Sequence, residues 1–498
     1  MNRDKRSLIL LTLICGCLLA ACDAFTQRST PTPNVTPTLP PPTPTLISTL
    51  TPTLIPTPTS IPAPAKASYH LDTTMDYDGH TVFVDELIVY PNHTGRPLDS
   101  LVLAAVPNLW PDCFTLESVA IDSVPLASYS LAGQRMDIAL PKLFDPETTL
   151  SISIKYHLSL PLIETTDPNV SRPRIFGYSD KQLNLTNWYP YVVPFINDNW
   201  ILHDPWYYGE HLVYDASDFD VNLKFSNPAD PPVVASSGFP EPNGDATRYT
   251  LTDGRAFAIS ASRQFQVTSL QLDDVTVSGY TFPFSQGQGQ AALQTSVEAL
   301  QTFSQRFGPY PHKTLAIVMG DFNDGMEFSA FYFLPRDFYN LYNASAAHNY
   351  LITVSAHETA HQWWFEQVAN DQALQPWLDE ALSAYSERLY YEVFHQDKLP
   401  QWWSYRIDFY NPQGFIDSPI YDFNGFRPYT DTVYFRGVHF LEDLRTRIGD
   451  DAFFGFLQDY LNQGKGRIVN SNDFFQILKT HTSTDYSDIV YQYFQNTY

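Results

Sequence analysis

Apolar and polar residues alternate along much of the chain between about residue 67 and residue 284. Residues 81–90 (TVFVDELIVY) alternate throughout and follow an Asp78-Gly79 turn signal. Because successive side chains of a strand point to opposite faces of a sheet, this pattern predicts half-buried β-strands. Further strands are predicted at 150–162, 218–225, 248–262 and 275–282. Residues 67–284 are therefore expected to form an N-terminal all-β domain, a saddle or a sandwich.

The period changes near residue 285, where a helical pattern begins. In residues 290–307 apolar side chains recur at positions 293, 297, 300, 303 and 307, which lie on one face of a helix. A buried strand is predicted at 314–319 and a second strand at 325–335. Further helices are predicted at about 350–366, from Pro376 onward, and at 431–449, 451–463, 471–481 and up to residue 498. Residues 285–498 are thus expected to form an α+β domain that is mostly helical, which makes the protein multi-domain.

The first 22 residues have the pattern of a targeting segment. Three basic residues within the first six precede an apolar run of 14 residues, which is short for a membrane span. The run ends in Leu19-Ala20-Ala21-Cys22, which resembles a bacterial lipobox. The resemblance implies a lipoprotein signal peptide over residues 1–21, cleavage before Cys22 and lipid attachment to the Cys22 sulfur. A plain signal peptide or an anchor helix is the alternative.

Proline and threonine dominate the segment that follows, and no charged residue lies between Arg28 and Lys66. Such a segment cannot form a core and favours an extended polyproline conformation. At roughly 3.1 Å per residue, about 40 residues reach on the order of 100 Å. Residues 22–66 are therefore expected to be a lipidated tether. It would hold an exported protein on the outer face of a bacterial cell membrane.

Cysteine content and net charge limit the possible partners. Cys15 and Cys17 lie in the signal segment and Cys22 is the lipid-attachment candidate, so Cys113 has no partner for an intramolecular disulfide. The formal net charge of −25 argues against nucleic acid or an anionic membrane surface as a partner. Membrane association is expected through the lipid on Cys22.

One stretch of the helical half contains the motif His357-Glu358-x-x-His361, and Glu380 lies nineteen positions beyond the second histidine. Residues four apart on a helix share a face, so the two imidazoles can point to one place. Two histidines, a carboxylate and an open position are the ligand set of a catalytic zinc ion. Glu358 lies one step round the helix, where it can accept a proton from the attacking water. The stretch predicts a zinc hydrolase with one Zn²⁺ held by His357, His361 and Glu380.

Segments around this motif resemble the membrane alanyl aminopeptidase family of zinc metallopeptidases, gluzincins that include leukotriene hydrolase. They are residues 307–318 (FGPYPHKTLAIV), 325–328 (GMEF), 357–364 (HETAHQWW), 377–387 (WLDEALSAYSE) and 434–437 (YFRG). The resemblance implies a thermolysin-like catalytic domain and peptide substrates. Family members usually add C-terminal domains, for which residues 435–498 leave no room. The resemblance therefore predicts a short form with a more open cleft.

The same resemblance implies roles for single residues. Tyr434 matches the tyrosine of the family's Tyr-x-Lys-Gly motif, in which the hydroxyl stabilises the oxyanion, and Arg436 replaces the lysine. Glu327 matches the glutamate of the Gly-x-Met-Glu-Asn motif, which binds the free α-ammonium of the substrate. Asp324 and Phe328 replace the first and last residues of that motif. An exposed strand carboxylate is the alternative for Glu327.

Glu387 lies seven positions after Glu380 and on the same helical face, where it can hydrogen-bond a zinc histidine. Asp379 is a second candidate for such a contact, and a surface glutamate is the alternative for Glu387. Three functions follow from these patterns: a zinc aminopeptidase acting on peptides outside the cell, a thermolysin-like endopeptidase, and a catalytically silent surface-binding lipoprotein. The intact set of three ligands, a base and Tyr434 argues against the last.

Overall fold

The computed structural model describes residues 66–126, 128–163, 175–346 and 348–498. The predicted signal peptide, Cys22 and the tether up to residue 65 lie outside these ranges. Within the described residues, no helix is long and apolar enough to cross a membrane.

Strands of the first half form one large sheet and several small ones. The large sheet is antiparallel except where Ser68–Asp76 runs parallel to Ser217–Phe225. Its order is Phe239–Asn243, Ala246–Gly254, Ser217–Phe225, Ser68–Asp76, Thr81–Pro91, Thr149–Ser159, Phe114–Ile121 and Val124–Pro125. Along Thr81–Pro91 every second side chain is buried up to Ile88, as the alternation predicts.

Three smaller sheets accompany it among the described residues of this half. The first has the order Val233–Ser236, Ile259–Ser262, Leu183–Leu185 and Gly177–Tyr178; the second has the order Tyr191–Val192, Leu98–Ala104, Arg135–Phe144 and Ser130–Ala132; the third pairs Phe195–Ile196 with Asn199–Trp200. The predicted strand at 248–262 is therefore two strands in different sheets, because the chain leaves the large sheet at Gly254 and enters a small one at Ile259.

A five-stranded sheet links the two halves of the chain. Its order is Gln266–Leu272, Val275–Thr281, Thr314–Met319, Phe331–Leu334 and Met326–Phe328. The hairpin of residues 266–281 precedes the predicted domain boundary at 284, yet it pairs with Thr314–Met319 in parallel register. The hairpin thus belongs by its pairing to the sheet of the helical half, because alternation identifies a strand but not the sheet it joins. The domain boundary at residue 284 stays a prediction.

Helices make up most of the second half. They are Gln286–Arg306, Arg336–Asn340, Tyr350–Ala360, Trp377–Phe394, Leu399–Trp402, Phe426–Thr430, Arg436–Ile448, Asp450–Gly464, Ser471–His481 and Ser487–Tyr493, with π-helical turns at Trp403–Ile407 and Asp431–Phe435 and 3₁₀ turns at Val106–Leu109, Gln396–Lys398 and Ile420–Asp422. A short parallel pair, Ala369–Asn370 and Ile468–Val469, also lies here. We refer to Tyr350–Ala360 as the histidine helix, Trp377–Phe394 as the glutamate helix and Arg436–Ile448 as the tyrosine helix.

Two predicted elements have different bounds in the structure. The histidine helix ends at Ala360 and not at residue 366, because Phe365 adopts a φ of 98° that a right-handed helix cannot contain. The predicted strand at 325–335 is an antiparallel hairpin, in which Met326–Phe328 pairs with Phe331–Leu334. Ala330, with a φ of 56°, lies in the turn between them.

The β half and the helical half share one hydrophobic core, which extends from Ala67 to Phe494. Residues from Ala63 to Tyr498 cluster as a single compact unit. The predicted fold class, a multi-strand sheet domain followed by a mostly helical α+β domain, is confirmed.

Candidate metal centre and active site

The three predicted metal ligands meet where the histidine and glutamate helices pack together. Asn349 begins the histidine helix, because its side-chain oxygen accepts a hydrogen bond from the Leu351 amide at 3.2 Å. The Nε2 atoms of His357 and His361 lie 3.2 Å apart. Glu380, in the first turn of the glutamate helix, brings Oε2 to 3.2 Å from the first of these atoms and 3.5 Å from the second.

The spacing of these atoms fits a tetrahedral zinc ion. Bonds of 2.0–2.1 Å to nitrogen and oxygen would place neighbouring ligand atoms about 3.3 Å apart. Nδ1 of His357 lies 3.0 Å from Glu387 Oε1, and Nδ1 of His361 lies 3.1 Å from the Trp364 carbonyl oxygen. Both acceptors keep the proton on Nδ1, so each Nε2 offers its lone pair at the common point.

Glu387 is buried behind His357, and Arg406 and Trp402 hold its carboxylate in place. Arg406 donates from Nε to Oε2 at 3.0 Å and from Nη2 to Oε1 at 2.7 Å, and Trp402 donates from Nε1 to Oε2 at 3.1 Å. Burial alone would raise the pKa of Glu387, but the Arg406 charge and the hydrogen bonds from His357 and Arg406 together outweigh it and lower that pKa. Glu387 therefore remains a carboxylate that orients His357, and it is not a surface residue.

Glu358 lies beside the three predicted zinc ligands but is not itself one of them. Its side chain is buried, and Oε2 has no hydrogen-bond partner among the described residues. Burial raises the pKa of Glu358 to about 8, although the nearby histidines lower it. A carboxylate with such a proton affinity is suited to accept a proton and return it at neutral pH.

Tyr434 covers the metal centre from the π-helical turn before the tyrosine helix. Its ring stacks on the His357 imidazole at 5.7 Å between centroids and an angle of 7°. Its hydroxyl donates a hydrogen bond to Glu380 Oε1. Burial and the Glu380 charge raise the pKa of Tyr434 well above its usual value, so the hydroxyl stays protonated and available as a donor.

Glu327 lies on the short strand Met326–Phe328 and is buried, which excludes the alternative of an exposed strand carboxylate. Atoms of Glu327, Glu358 and His361 lie within 4.8 Å of one another. The Gln372 side-chain amide donates to Glu327 Oε1 at 3.2 Å. Burial raises the pKa of Glu327, and repulsion from Glu380 adds to the increase.

Glu210 is a site residue that the sequence analysis missed. It comes from the β half and lines the same cavity as Glu327. Burial raises the pKa of Glu210 well above its usual value, and the negative charge of Glu327 adds to the increase. In the sequence Glu210 follows the aromatic run WYY and Gly209. This context is a weak signal, because its distance from the metal motif along the chain follows no known pattern.

Two further polar residues connect this region to the glutamate helix. Gln372 donates to Glu327 and also to Asp379 Oδ2 at 2.8 Å, and the Asn370 amide donates to Asp379 Oδ1 at 2.8 Å. Asp379, a candidate for contact with a histidine, therefore hydrogen-bonds two amides instead. Gln372 thus links Asp379 to Glu327 by hydrogen bonds.

A cavity of about 1020 Å³ lies between the β half and the helical half. Glu210 and Tyr214 line it from the β half; Glu327, Glu358 and Tyr434 line it from the helical half. A cavity of this size accommodates several residues of a peptide. Cys22, the predicted lipidation site, lies outside the described residues.

Comparison with protein-family models places a "Peptidase family M1 domain" on residues 291–493. Endoplasmic reticulum aminopeptidase 1 of Homo sapiens is 26% identical over 268 residues, which are 51% of this chain and 28% of the relative. Aminopeptidase N of Oryctolagus cuniculus is 30% identical over 172 residues, which are 31% of this chain and 17% of the relative. The matches thus cover at most 28% of the length of these two relatives.

Solved structures share the fold over much more of the chain. An M1 zinc metallopeptidase from Deinococcus radiodurans has a TM-score of 0.59 and 19% identity, and the match covers 84% of this chain and 90% of that one. A mutant of that enzyme bound to a Tyr-Ser-Ala substrate has a TM-score of 0.62 and 18% identity, and the match covers 87% and 95%. The resemblance seen in the sequence is confirmed: residues 291–493 match the peptidase family M1 domain, the fold is that of M1 zinc metallopeptidases, and the ligand set suits a single catalytic zinc ion.

Proposed function

We propose that the protein is a zinc-dependent aminopeptidase that removes N-terminal residues from peptides outside the cell. The observation that supports this most directly is the pair of carboxylates, Glu327 and Glu210, beside the ligand set. Two carboxylates in a buried pocket repel each other, and a cation between them removes that repulsion. The α-ammonium of a peptide is such a cation. It would place the first peptide bond next to Glu358 and His361.

A zinc ion held by His357, His361 and Glu380 would polarise the scissile carbonyl and acidify a water molecule. Glu358, with its free Oε2, accepts the proton of the attacking water and transfers it to the leaving amine. Tyr434 turns its hydroxyl from Glu380 toward the developing oxyanion of the substrate and donates a hydrogen bond to it. Glu387 keeps His357 in position throughout.

The relatives support the same activity. The two relatives described above are aminopeptidases, and the Deinococcus radiodurans mutant is bound to a Tyr-Ser-Ala substrate. Asp324 and Phe328 depart from the family's exopeptidase motif, but Glu327 between them is one of the residues that line the cavity. Recognition of the ammonium therefore depends on Glu327 and Glu210 and not on the rest of the motif.

The test compares aminoacyl-arylamides with the same peptides blocked at the N-terminus. We expect wild-type protein to cleave only substrates with a free amine, and chelation of zinc to abolish turnover. Glu358→Gln should lower kcat by about 10²–10⁴-fold, the usual contribution of a general base. Glu327→Ala should mainly raise KM for free-amine substrates.

Cleavage of blocked peptides by wild-type protein would instead indicate a thermolysin-like endopeptidase. Folded, zinc-loaded protein that cleaves neither class of substrate would indicate a surface-binding protein. Glu442→Gln is a matched control, because this carboxylate bonds Tyr385 and Arg388 outside the cavity. Glu442→Gln should leave the cleavage rates of free-amine and N-blocked substrates unchanged.

We also propose that the mature protein is anchored to the outer face of a bacterial cell membrane through a lipid on Cys22. The basic start, the short apolar run and the Leu-Ala-Ala-Cys sequence support processing as a lipoprotein. Wild-type protein should incorporate labelled fatty acid and partition into detergent. Cys22→Ser should do neither, and Cys113→Ser should do both. Equal partition of wild type and Cys22→Ser would contradict the proposal.

A further inference from the structure

The cavity lining carries groups of both charges. The carboxylates Glu327 and Glu210 line it, and the charge of Glu327 raises the pKa of Glu210. Among the described residues, the arginines of the lining are Arg406 and Arg427. Both guanidinium groups lie over one ring, that of Phe435, at 4.9 Å and 5.2 Å from its centroid. A peptide with its ammonium at the two carboxylates would share the cavity with these arginines.

The two arginines differ in what they can still bind. Arg406 is 12% exposed at its side chain and is engaged with the Glu387 carboxylate through two hydrogen bonds. Arg427 is 41% exposed at its side chain and donates one hydrogen bond, from Nη2 to Asp431. Its Nε is buried without a hydrogen-bond partner, and among the described residues Nη1 has no acceptor. Because Arg427 lines the cavity and is partly exposed, Nη1 is the donor that it can still offer to a ligand.

Aromatic rings hold this guanidinium in place. Its central carbon lies 3.7 Å from the centroid of the Tyr410 ring, closer than its distance to Phe435. The neighbouring Phe426 also lines the cavity and is 61% exposed. Stacking between rings restricts the orientation of an arginine and lowers the entropic cost of each hydrogen bond that it makes. An exposed ring beside it offers apolar surface to a bound peptide.

We propose that Arg427 binds a carboxylate of the peptide substrate on the leaving-group side of the scissile bond, an inference that rests on the proposed aminopeptidase function. The carboxylate is either the C-terminus of a short peptide or an Asp or Glu side chain of a longer one. Because six carboxylates and two arginines are among the described residues that line the cavity and the chain carries a net charge of −25, an anionic group is favoured only beside an arginine. A stacked arginine whose Nη1 has no acceptor can bind it.

The test measures peptide binding to the zinc-loaded Glu358→Gln protein, so that it does not depend on turnover. One pair of peptides is Ala-Ala-Ala and its C-terminal amide; the other is Ala-Glu-Ala-amide and Ala-Gln-Ala-amide. By calorimetry, we expect the anionic member of at least one pair to bind about tenfold more tightly, as a charge-assisted hydrogen bond provides. The pair that shows the preference identifies the source of the carboxylate.

The preference should disappear when Arg427→Gln is added and persist in part with Arg427→Lys. Arg447→Gln is the matched control, since Arg447 is 36% exposed, pairs with Asp488 and does not line the cavity. Equal affinities within both pairs, the absence of any binding, or a preference that survives Arg427→Gln would each overturn the proposal. Wild-type protein that fails to cleave any of the four peptides would overturn the proposed function, while the binding comparison still decides the role of Arg427.

Discussion

The carboxylate of Glu387 fixes the ring of His357 so that Nε2 is the nitrogen available to a metal ion. It accepts the Nδ1 proton at 3.0 Å and is fixed by Arg406 and Trp402. In Glu387→Gln, an amide of equal size replaces the carboxylate, so the imidazole loses a charged acceptor and Arg406 loses its counter-charge. We expect the zinc dissociation constant to increase by about 10–100-fold. Titration against a competing chelator measures it.

Substitution of Asp443 provides the comparison for that experiment. Asp443 accepts a hydrogen bond from the Tyr493 hydroxyl at 2.6 Å, away from the metal centre. Asp443→Asn should keep the wild-type zinc affinity. Wild-type affinity in folded Glu387→Gln as well would show that the carboxylate does not contribute to metal binding.

The site residues fall into two groups: those that the sequence predicts and those that only the structure identifies. His357, His361 and Glu387 follow from helical spacing, since residues four or seven apart share a face whatever the rest of the fold does. Glu210, Gln372 and Arg406 reach the site through contacts between segments far apart in sequence. No local spacing encodes such contacts, so they could not be predicted from the chain alone.

At the scale of elements, the packing of the tyrosine helix on the glutamate helix depends on Gly437. A Cβ added to Gly437 would lie 2.4 Å from the Ala381 Cβ, and Ala381 is next to the ligand Glu380. Gly437→Ala should therefore push the two helices apart, lower the free energy of unfolding by about 1–3 kcal/mol and reduce zinc affinity. Thermal unfolding with and without zinc measures both effects.

Gly287 is the matched control for this substitution. It lies in the first turn of a helix, and an added Cβ would meet no atom within 4 Å. Gly287→Ala should leave stability unchanged or raise it slightly, since alanine favours a helix more than glycine does. Equal melting temperatures for Gly437→Ala and wild type would show that the helices tolerate the extra methyl group.

A strand of the large sheet carries an unpaired acid in the core. Glu86 is 2% exposed, and neither of its carboxyl oxygens has a hydrogen-bond partner among the described residues. Burial raises the pKa of Glu86 well above its usual value. The folded state therefore binds this proton more tightly than the unfolded state, and above the unfolded pKa of about 4.3 the protein loses stability as pH increases.

Glu86→Gln removes this dependence on pH. We expect the variant to be more stable than wild type at pH 7 by about 1–3 kcal/mol, because glutamine, unlike the acid, takes up no proton on folding. The gain should shrink as pH falls toward 5. Asp85→Asn, which alters an exposed neighbour that pairs with Lys155, should show no such gain. Urea titrations between pH 5 and pH 8 measure the difference, and a gain that is constant over this range would contradict the assignment.

Helices and strands were predictable where their hydrophobic pattern lies within one segment of the chain. The strand at 314–319 and the helices after residue 450 agree with their periodicity to within a few residues. The pairing of hairpin 266–281 with the second-domain sheet was not predictable, because it depends on the partner strand. The turn after Ala360 was also missed, since the apolar run Trp363-Trp364-Phe365 is compatible with a helix.

At the scale of the whole molecule, Arg255 joins the β half to the helical half. Its side chain is 1% exposed and donates to four backbone carbonyls: those of Tyr214 at 3.0 Å, Glu366 at 3.2 Å, Gln367 at 3.3 Å and Arg467 at 3.0 Å. The cavity with its Glu210 wall exists only while the two halves stay together. A single guanidinium thus supports both the fold and the substrate pocket.

Arg255→Met keeps the length and apolar stem of the side chain but removes every donor. We expect it to lower the free energy of unfolding by about 3–5 kcal/mol, because several buried carbonyls lose their partner at once. Arg248→Met, which alters an arginine that is 42% exposed and paired with Asp220, should cost at most about 1 kcal/mol. Urea unfolding followed by fluorescence and by circular dichroism measures both variants. If the two halves unfold together, we expect only the Arg255 variant to lose stability and the two probes to report coincident transitions. Similar losses of stability in both variants would mean that the four carbonyls find other donors.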